Sequence, residues 1–408
     1  MLFRAAFMKI LSLSNKMPYP PKDGGTIGIY NVVDSLANAG NSVHVLAINT
    51  PKHFVSDDEI PSEVKRKLHL ETVLINTNLS LFGLIKNLLF SQLPYVADRF
   101  VTKDYENRLI SILTENQFDV VQIEGLYMCP YIPVIRKYSN AVISLRAHNI
   151  EHEIWERTAD NSKNPFKKYY LKHMAKRIVS LKNEILNRYD VLVPVTQRDA
   201  DIYEKMGNTK PVFVLPAGFD STEMKPQMRT EMSNSLFHLG ALDWVPNQEG
   251  LLWFINQCWP IIKAKLPALN FHVAGRNAPA WFVKKLDVEG IIYHGEVPVA
   301  SQFINSFGVM VVPLLSGSGM RIKIVEGMAM GKVIVTTPIG TEGIPTTHRE
   351  NILVADNEFS FAAEIEKVLS DEALYMKIGS NAIEFAIKHY DRNQLGKKLS
   401  EFYNSQCP

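Results

Sequence analysis

The stretch that decides the fold is Pro313-Leu314-Leu315-Ser316-Gly317-Ser318-Gly319-Met320-Arg321-Ile322-Lys323-Ile324-Val325-Glu326-Gly327-Met328-Ala329-Met330-Gly331. An apolar run, 308–313, precedes it and reads as a buried strand. The glycine-rich segment then reads as a loop, and a helical pattern starts near Arg321. A strand, a glycine loop and a helix in that order place backbone N–H groups at a helix N-terminus, where they favour an anion. Arg321 and Lys323 add two positive charges beside that cradle. Glu326 falls in the next turn among Ile324, Val325, Met328 and Ala329, and such a carboxylate can accept hydrogen bonds from the paired hydroxyls of a ribose. The competing reading is a surface helix with scattered charges. A single Glu among so many apolar neighbours weighs against it.

The same rhythm extends in both directions. Toward the C-terminus, apolar runs at 333–336 and 352–354 read as strands, followed by helical patterns at 361–390 and 393–403. Toward the N-terminus, runs at 236–239, 270–274 and 291–294 read as strands, with a helix over 247–265. Between 219 and 235 the composition turns polar (DSTEMKPQMRTEMSNS), which reads as a linker. Before it come strand patterns at 9–14, 41–48, 119–123, 141–145, 191–195 and 212–215, with a helix over 27–39. Short apolar strands separated by helices imply parallel sheets covered on both faces. The expected fold class is therefore α/β, with two Rossmann-like doubly wound domains facing across a cleft. Their spans are 1–218 and 236–390, with the helix at about 391–408 packing back on the first domain.

A chain of 408 residues suits two such cores. Lys plus Arg number 44 against 42 Asp plus Glu, so no strongly basic domain points to nucleic acid. Three dispersed cysteines, Cys129, Cys258 and Cys407, suggest neither a disulfide framework nor a zinc site. The segment 1–7 is too short for a signal peptide, and no apolar run spans a bilayer. Cytoplasmic residence is the expectation.

Two first-domain loops join the candidate site. In Pro18-Tyr19-Pro20-Pro21-Lys22-Asp23-Gly24-Gly25, the glycine pair lets backbone approach an anion or sugar, although a plain turn before a helix fits equally well. No GxGxxG is present, which disfavours a dinucleotide-binding dehydrogenase. Arg146-Ala147-His148-Asn149-Ile150-Glu151 follows an apolar strand, so His148, Asn149 and Glu151 stand where polar groups need partners. His148 can hydrogen-bond a sugar hydroxyl or its acceptor, though a lone His is more often structural. Two further stretches, 79–95 (LSLFGLIKNLLFSQLPY) and the lysine-rich 164–186, allow two readings. One is a basic amphipathic surface that docks peripherally on a bilayer. The other is a core helix with a solvated face.

The segment PLLSGSGMRIKIVEGMAMGKVIVTTPIGTEGI resembles the donor-binding segment of GT-B, family-four retaining glycosyltransferases. It is most similar to a bacterial branch with the pattern G-x-G-x-R-x-K-x-x-E-x-M-A-x-G. Phe237-His238-Leu239-Gly240-Ala241-Leu242-Asp243-Trp244, Val273-Ala274-Gly275-Arg276 and Gly295-Glu296-Val297 fall in the family's order. The resemblance implies a metal-independent transfer of a sugar from a UDP- or GDP-sugar to a glycan or lipid-linked acceptor. It also implies retention of configuration, and a place in cell-surface polysaccharide synthesis. Glu326 matches the ribose-binding glutamate. Gly317, Ser318, Gly319 and Met320, with Arg321 and Lys323, match the diphosphate loop. Gly240, Arg276 and Val297 line the donor, and Gly24 and Gly25 face its phosphate and sugar. His148 matches the His near the transferred sugar.

Of the two glutamates that the wider family spaces eight apart, the first is replaced by Ser318. Trp244-Val245-Pro246-Asn247-Gln248 stands where the family often has a Lys, which leaves phosphate neutralisation to Arg321 and Lys323. Two alternatives remain: a nucleotide-sugar 2-epimerase, and a non-catalytic GT-B protein that binds nucleotide-sugar.

Overall fold

The structure, a computed structural model, describes the chain except residues 1–6, 22–23, 52–53, 79, 161, 163, 223, 226–234, 318 and 408. The expectations that fall on 1–6, on Lys22 and Asp23, on most of the 219–235 segment and on Ser318 therefore lie outside the described residues. The chain divides into two compact units, one of residues 1–217 with 392–408 and the other of 218–391.

The first unit runs β1 (Lys9–Ser14), α1 (Gly24–Asn38), β2 (Ser42–Asn49), β3 (Leu70–Leu74), α2 (Leu81–Phe90), β4 (Val120–Glu124), β5 (Val142–Ala147), α3 (Glu151–Asp160), α4 (Pro165–Ile185) and β6 (Val191–Pro194), with further helices among them. The second runs β7 (Ser235–Leu239), α5 (Val245–Trp253), β8 (Asn270–Ala274), β9 (Ile291–Tyr293), β10 (Val309–Val312), α6 (Ile322–Ala329), β11 (Val333–Thr336) and β12 (Leu353–Val354). Helices Glu358–Ser370 and Glu372–Tyr390 follow it. α7 (Arg392–Gln406) then returns to the first unit, where it packs on α1. Gly396 makes that approach possible, since a Cβ there would lie 2.6 Å from Ser35 Cβ.

The sheet orders are β3-β2-β1-β4-β5-β6 and β12-β11-β10-β7-β8-β9, every pairing parallel. Numbered within its own unit, each sheet reads 3-2-1-4-5-6. Winding therefore reverses between the first and fourth strands, and the crevice where such sheets bind ligands opens at their carboxyl ends. In the first unit those ends are Ser14 and Glu124; in the second they are Leu239 and Val312. Central strands such as β10 (VMVV) and β11 (VIVT) are wholly buried, as helices on both faces require.

Several sequence expectations need correction. Gly24 and Gly25 form the first turn of α1 rather than a preceding loop. β3 was not anticipated, because as an edge strand it carries Glu71 and leaves Leu74 exposed, so no continuous apolar run marks it. The run at 212–215 forms no strand. Phe213 and Leu215 donate to Leu192 and Pro194, and only an isolated bridge joins Leu192 to Val212. The single helix expected over 361–390 is two, because extended Asp371 caps the second by accepting from Leu374 N at 2.9 Å.

In the second unit α5 lies so close to the end of β10 that a Cβ at Gly250 would stand 2.0 Å from the Pro313 carbonyl oxygen. Backbone cannot yield as a side-chain tip does. Gly250→Ala is expected to lower stability by about 3 kcal/mol, from overpacking, as read by chemical denaturation. A change below about 0.5 kcal/mol, the range of an innocuous surface substitution, would mean that α5 and the β10 loop are not so closely apposed.

Candidate functional site

The switch point of the second unit is built from the β7–α5 and β10–α6 loops. Gly317 (φ 113°) and Gly319 (φ 82°) hold the left-handed backbone that turns the chain from β10 into α6. Arg321 follows at the N-cap of α6, nearly buried. It donates to the Gly319 carbonyl and holds its guanidinium 5.7 Å from the centre of the Trp244 ring. The loop is thus braced by its own cation. Met320 packs against the core beneath.

Lys323, one residue into α6, donates to Asn247 Oδ1 at 2.8 Å and lies 3.5 Å from His238 Nε2. His238 is fully buried at the end of β7, and its Nδ1 lies 2.8 Å from the Val311 carbonyl oxygen. A carbonyl only accepts, so Nδ1 carries the proton and Nε2 offers a lone pair toward the lysine. Burial, followed by the Lys323 charge, keeps this histidine well below its usual range, hence neutral. Gly240 leaves the space: a Cβ there would fall 2.9 Å from both Lys323 Nζ and Asn247 Nδ2. Burial and the neighbouring Arg321 charge bring the Lys323 ammonium down to about 7.

Glu326 lies one turn further along the same helix, and its side chain makes no hydrogen bond or ion pair to the described residues. Burial pushes its carboxyl up to about 7. A sheltered carboxyl without a partner among the described residues has its acceptor capacity open to outside donors. Around the edge of this crevice, Arg276 follows β8 with its carbonyl receiving Leu242 N at 2.9 Å. Val297 follows the left-handed Gly295 beyond β9.

In the first unit, His148 follows β5 and is only partly exposed. Its Nε2 lies 2.6 Å from Oε2 of Glu124, the last residue of β4, which also accepts from Arg146 Nη1 at 3.1 Å. Asn149 comes next, and Glu151 opens α3, its carboxylate accepting from the Tyr127 hydroxyl at 2.9 Å. Burial raises the Glu151 carboxyl above its usual range. Gly24 has open space around the position of a Cβ.

The structure thus brings Gly240, Gly317, Gly319, Met320, Arg321, Lys323 and Glu326 together in one unit. Gly24, Gly25, His148, Asn149 and Glu151 fall in the other. Three polar residues were missed from the sequence: His238, Asn247 as a lysine partner, and Glu124. For Glu124 a signal existed, an acid and a base (Glu124, Arg146) at or next to the carboxyl ends of two neighbouring, mostly apolar strands.

Comparison with known proteins accords with this geometry. Residues 233–371, which contain the second switch point, match the family model described as glycosyl transferases group 1. The fold is that of GT-B glycosyltransferase structures. Sucrose-phosphate synthase from Thermosynechococcus elongatus superposes with a TM-score of 0.68 at 14% identity, covering 97% of this chain and 98% of that one. Anabaena HepE in complex with UDP gives 0.66 at 15% identity, over 98% and 100%. Over 403 residues the chain is 24% identical to an uncharacterized 44.6 kDa protein in the cps region of Klebsiella pneumoniae, covering 95% of this chain and 97% of that protein.

The two perturbed groups fix a pH signature. Glu326, raised from 4.5 to about 7, lets the folded state hold a proton that the unfolded chain releases, so its contribution to stability is lost as pH rises through that window. Lys323, lowered from 10.5 to about 7, costs stability as pH falls through the window above 7. Glu326→Gln should therefore gain Tm relative to the parent as pH rises from 4.5 to 7, and Lys323→Met as pH falls from 10.5 to 7. Differences in Tm that do not vary with pH would return both groups to ordinary, solvated titration.

Proposed function

We propose that this protein is a glycosyltransferase that binds a nucleotide-diphosphate sugar, UDP- or GDP-linked, in its second unit and passes the sugar to an acceptor hydroxyl. The observation that carries the reading is the sequence of groups along one helix start: left-handed glycines, Arg321, Lys323, then Glu326, whose carboxyl has no partner among the described residues. Together they offer an anion cradle, two cations and a carboxylate for the ribose hydroxyls. Leaving-group charge on the diphosphate is stabilised by fixed cations and backbone N–H groups, so no metal is called upon. His238 and Asn247 hold Lys323 in place for this task. His148 serves the transferred sugar or its acceptor, with retention of configuration as the family resemblance implies. The cps-region location of the Klebsiella relative favours a role in cell-surface polysaccharide synthesis.

Titration with UDP-, GDP- and ADP-sugars tests the donor site. One nucleotide class should bind saturably, and Glu326→Ala should weaken it by at least tenfold, the loss of about 1.4 kcal/mol. If none binds, the resemblance is one of fold alone and the transferase reading falls.

We further propose a lipid-linked acceptor reached from a cytoplasmic membrane face. Among the described residues no helix is long and apolar enough to cross a bilayer. Instead α2 turns Ile85, Leu88, Leu89 and Phe90 outward, while Asn87 on its inner side accepts from Arg177 of α4 at 2.7 Å. α4 itself exposes Phe166 and Tyr169 among its lysines. Apolar side chains outside and cations beside them suit the interface of an anionic bilayer. Flotation with anionic vesicles should carry the protein upward, and Leu89→Glu with Phe90→Glu should abolish this. A parent protein that stays at the bottom of the gradient excludes membrane docking.

A further inference from the structure

We infer that Glu124 is a positioning residue for His148, holding the neutral imidazole with its proton on Nε2 so that Nδ1 is left as a hydrogen-bond acceptor. The argument begins with the sheet. Registers pair Ser12 with Gln122 and Ser14 with Glu124 across β1 and β4, and Gln122 with Ser144 and Glu124 with Arg146 across β4 and β5. One face of three central strands therefore carries two rows of polar side chains where apolar ones are the rule. All six residues are buried.

The bonds among them have a direction. Tyr403 of α7 donates to Gln122 Oε1 at 2.7 Å. Its hydroxyl proton is thereby committed, so Ser144 Oγ, 2.8 Å away, donates to Tyr403. Gln122 donates through Nε2 to Glu124 Oε1. Every donor in this relay points toward the Glu124 carboxyl, and Arg146 adds a charged one. Burial is the largest influence on Glu124 and would raise its titration. The Arg146 charge and the His148 hydrogen bond outweigh it and hold the carboxyl below its usual range, so it is ionised.

An ionised carboxylate oxygen 2.6 Å from a ring nitrogen requires a proton between them, and only the ring can supply it. Arg146 Nη1 also lies 3.2 Å from that nitrogen, but two donors cannot bond each other, so Arg146 directs its proton to Glu124. Burial, together with Arg146 and Lys16, lowers His148 more than Glu124 raises it, and the ring is neutral. Nδ1 must then hold a lone pair. Such a nitrogen takes a hydrogen bond, or a proton, from a hydroxyl and cannot donate to an ether oxygen. The meaning for sugar transfer rests on the proposed function; the tautomer does not.

Long-range 1H–15N correlation of the histidine rings in the intact protein reads the tautomer directly, with His148 assigned by the signal lost in His148→Gln. Near neutral pH the expected pattern is a neutral ring protonated at Nε2. Protonation at Nδ1, or an imidazolium, overturns the inference. In Glu124→Ala, Arg146 Nη1 is left free to donate to Nε2, and the ring proton should shift to Nδ1. An unchanged ring in a folded Glu124→Ala protein also overturns it. Should that variant fail to fold, the parent spectrum alone decides. Absence of nucleotide-sugar binding would remove the transferase reading while leaving this result standing.

Discussion

Reversal of winding is the constraint on which the rest depends. A right-handed crossover from the third strand back past the first leaves one gap per sheet at the strand ends, and no helix can cover it. Both units obey this, and both place their candidate site residues there. In the second unit the gap receives a loop that must turn sharply, hence Gly317 and Gly319. In the first it receives the polar ends of β4 and β5. The sheet does not select these residues, but it fixes where they must stand.

The two gaps solve the problem of sheltered charge differently. Around Glu124 the carboxylate has partners within the unit, and an ion pair with added hydrogen bonds offsets the loss of water. Around Glu326 the carboxyl has none among the described residues, and its titration moves toward neutrality instead. A largely closed network suits a scaffold that orients one partly exposed imidazole. An open group suits a ligand that brings its own donors.

Much of this was legible before the structure. The alternation of apolar runs and helices gave the parallel α/β class, because a strand covered on both faces cannot carry polar residues without a partner. The glycine loop with Arg321, Lys323 and Glu326 stood out for the same reason. What sequence could not show were pairings across strands. His238 lies 85 positions from the lysine it holds, and nothing in local periodicity links them. β3 escaped because an exposed edge needs no apolar run, and the break at Asp371 because a side-chain cap outweighed an uninterrupted helical pattern.

α7 adds a consequence of order in time. Its residues leave the ribosome after the whole second unit, yet Tyr403 closes the polar rows of the first. During synthesis the second unit is a continuous segment that can complete itself. The first must wait, with Gln122 and Ser144 lacking their shared hydroxyl, until the polypeptide doubles back. A nascent chain halted before Tyr403 therefore carries a finished second unit and an unfinished first. Quality control that senses unsatisfied sheet faces would distinguish the two by residues separated from that face by more than half the protein.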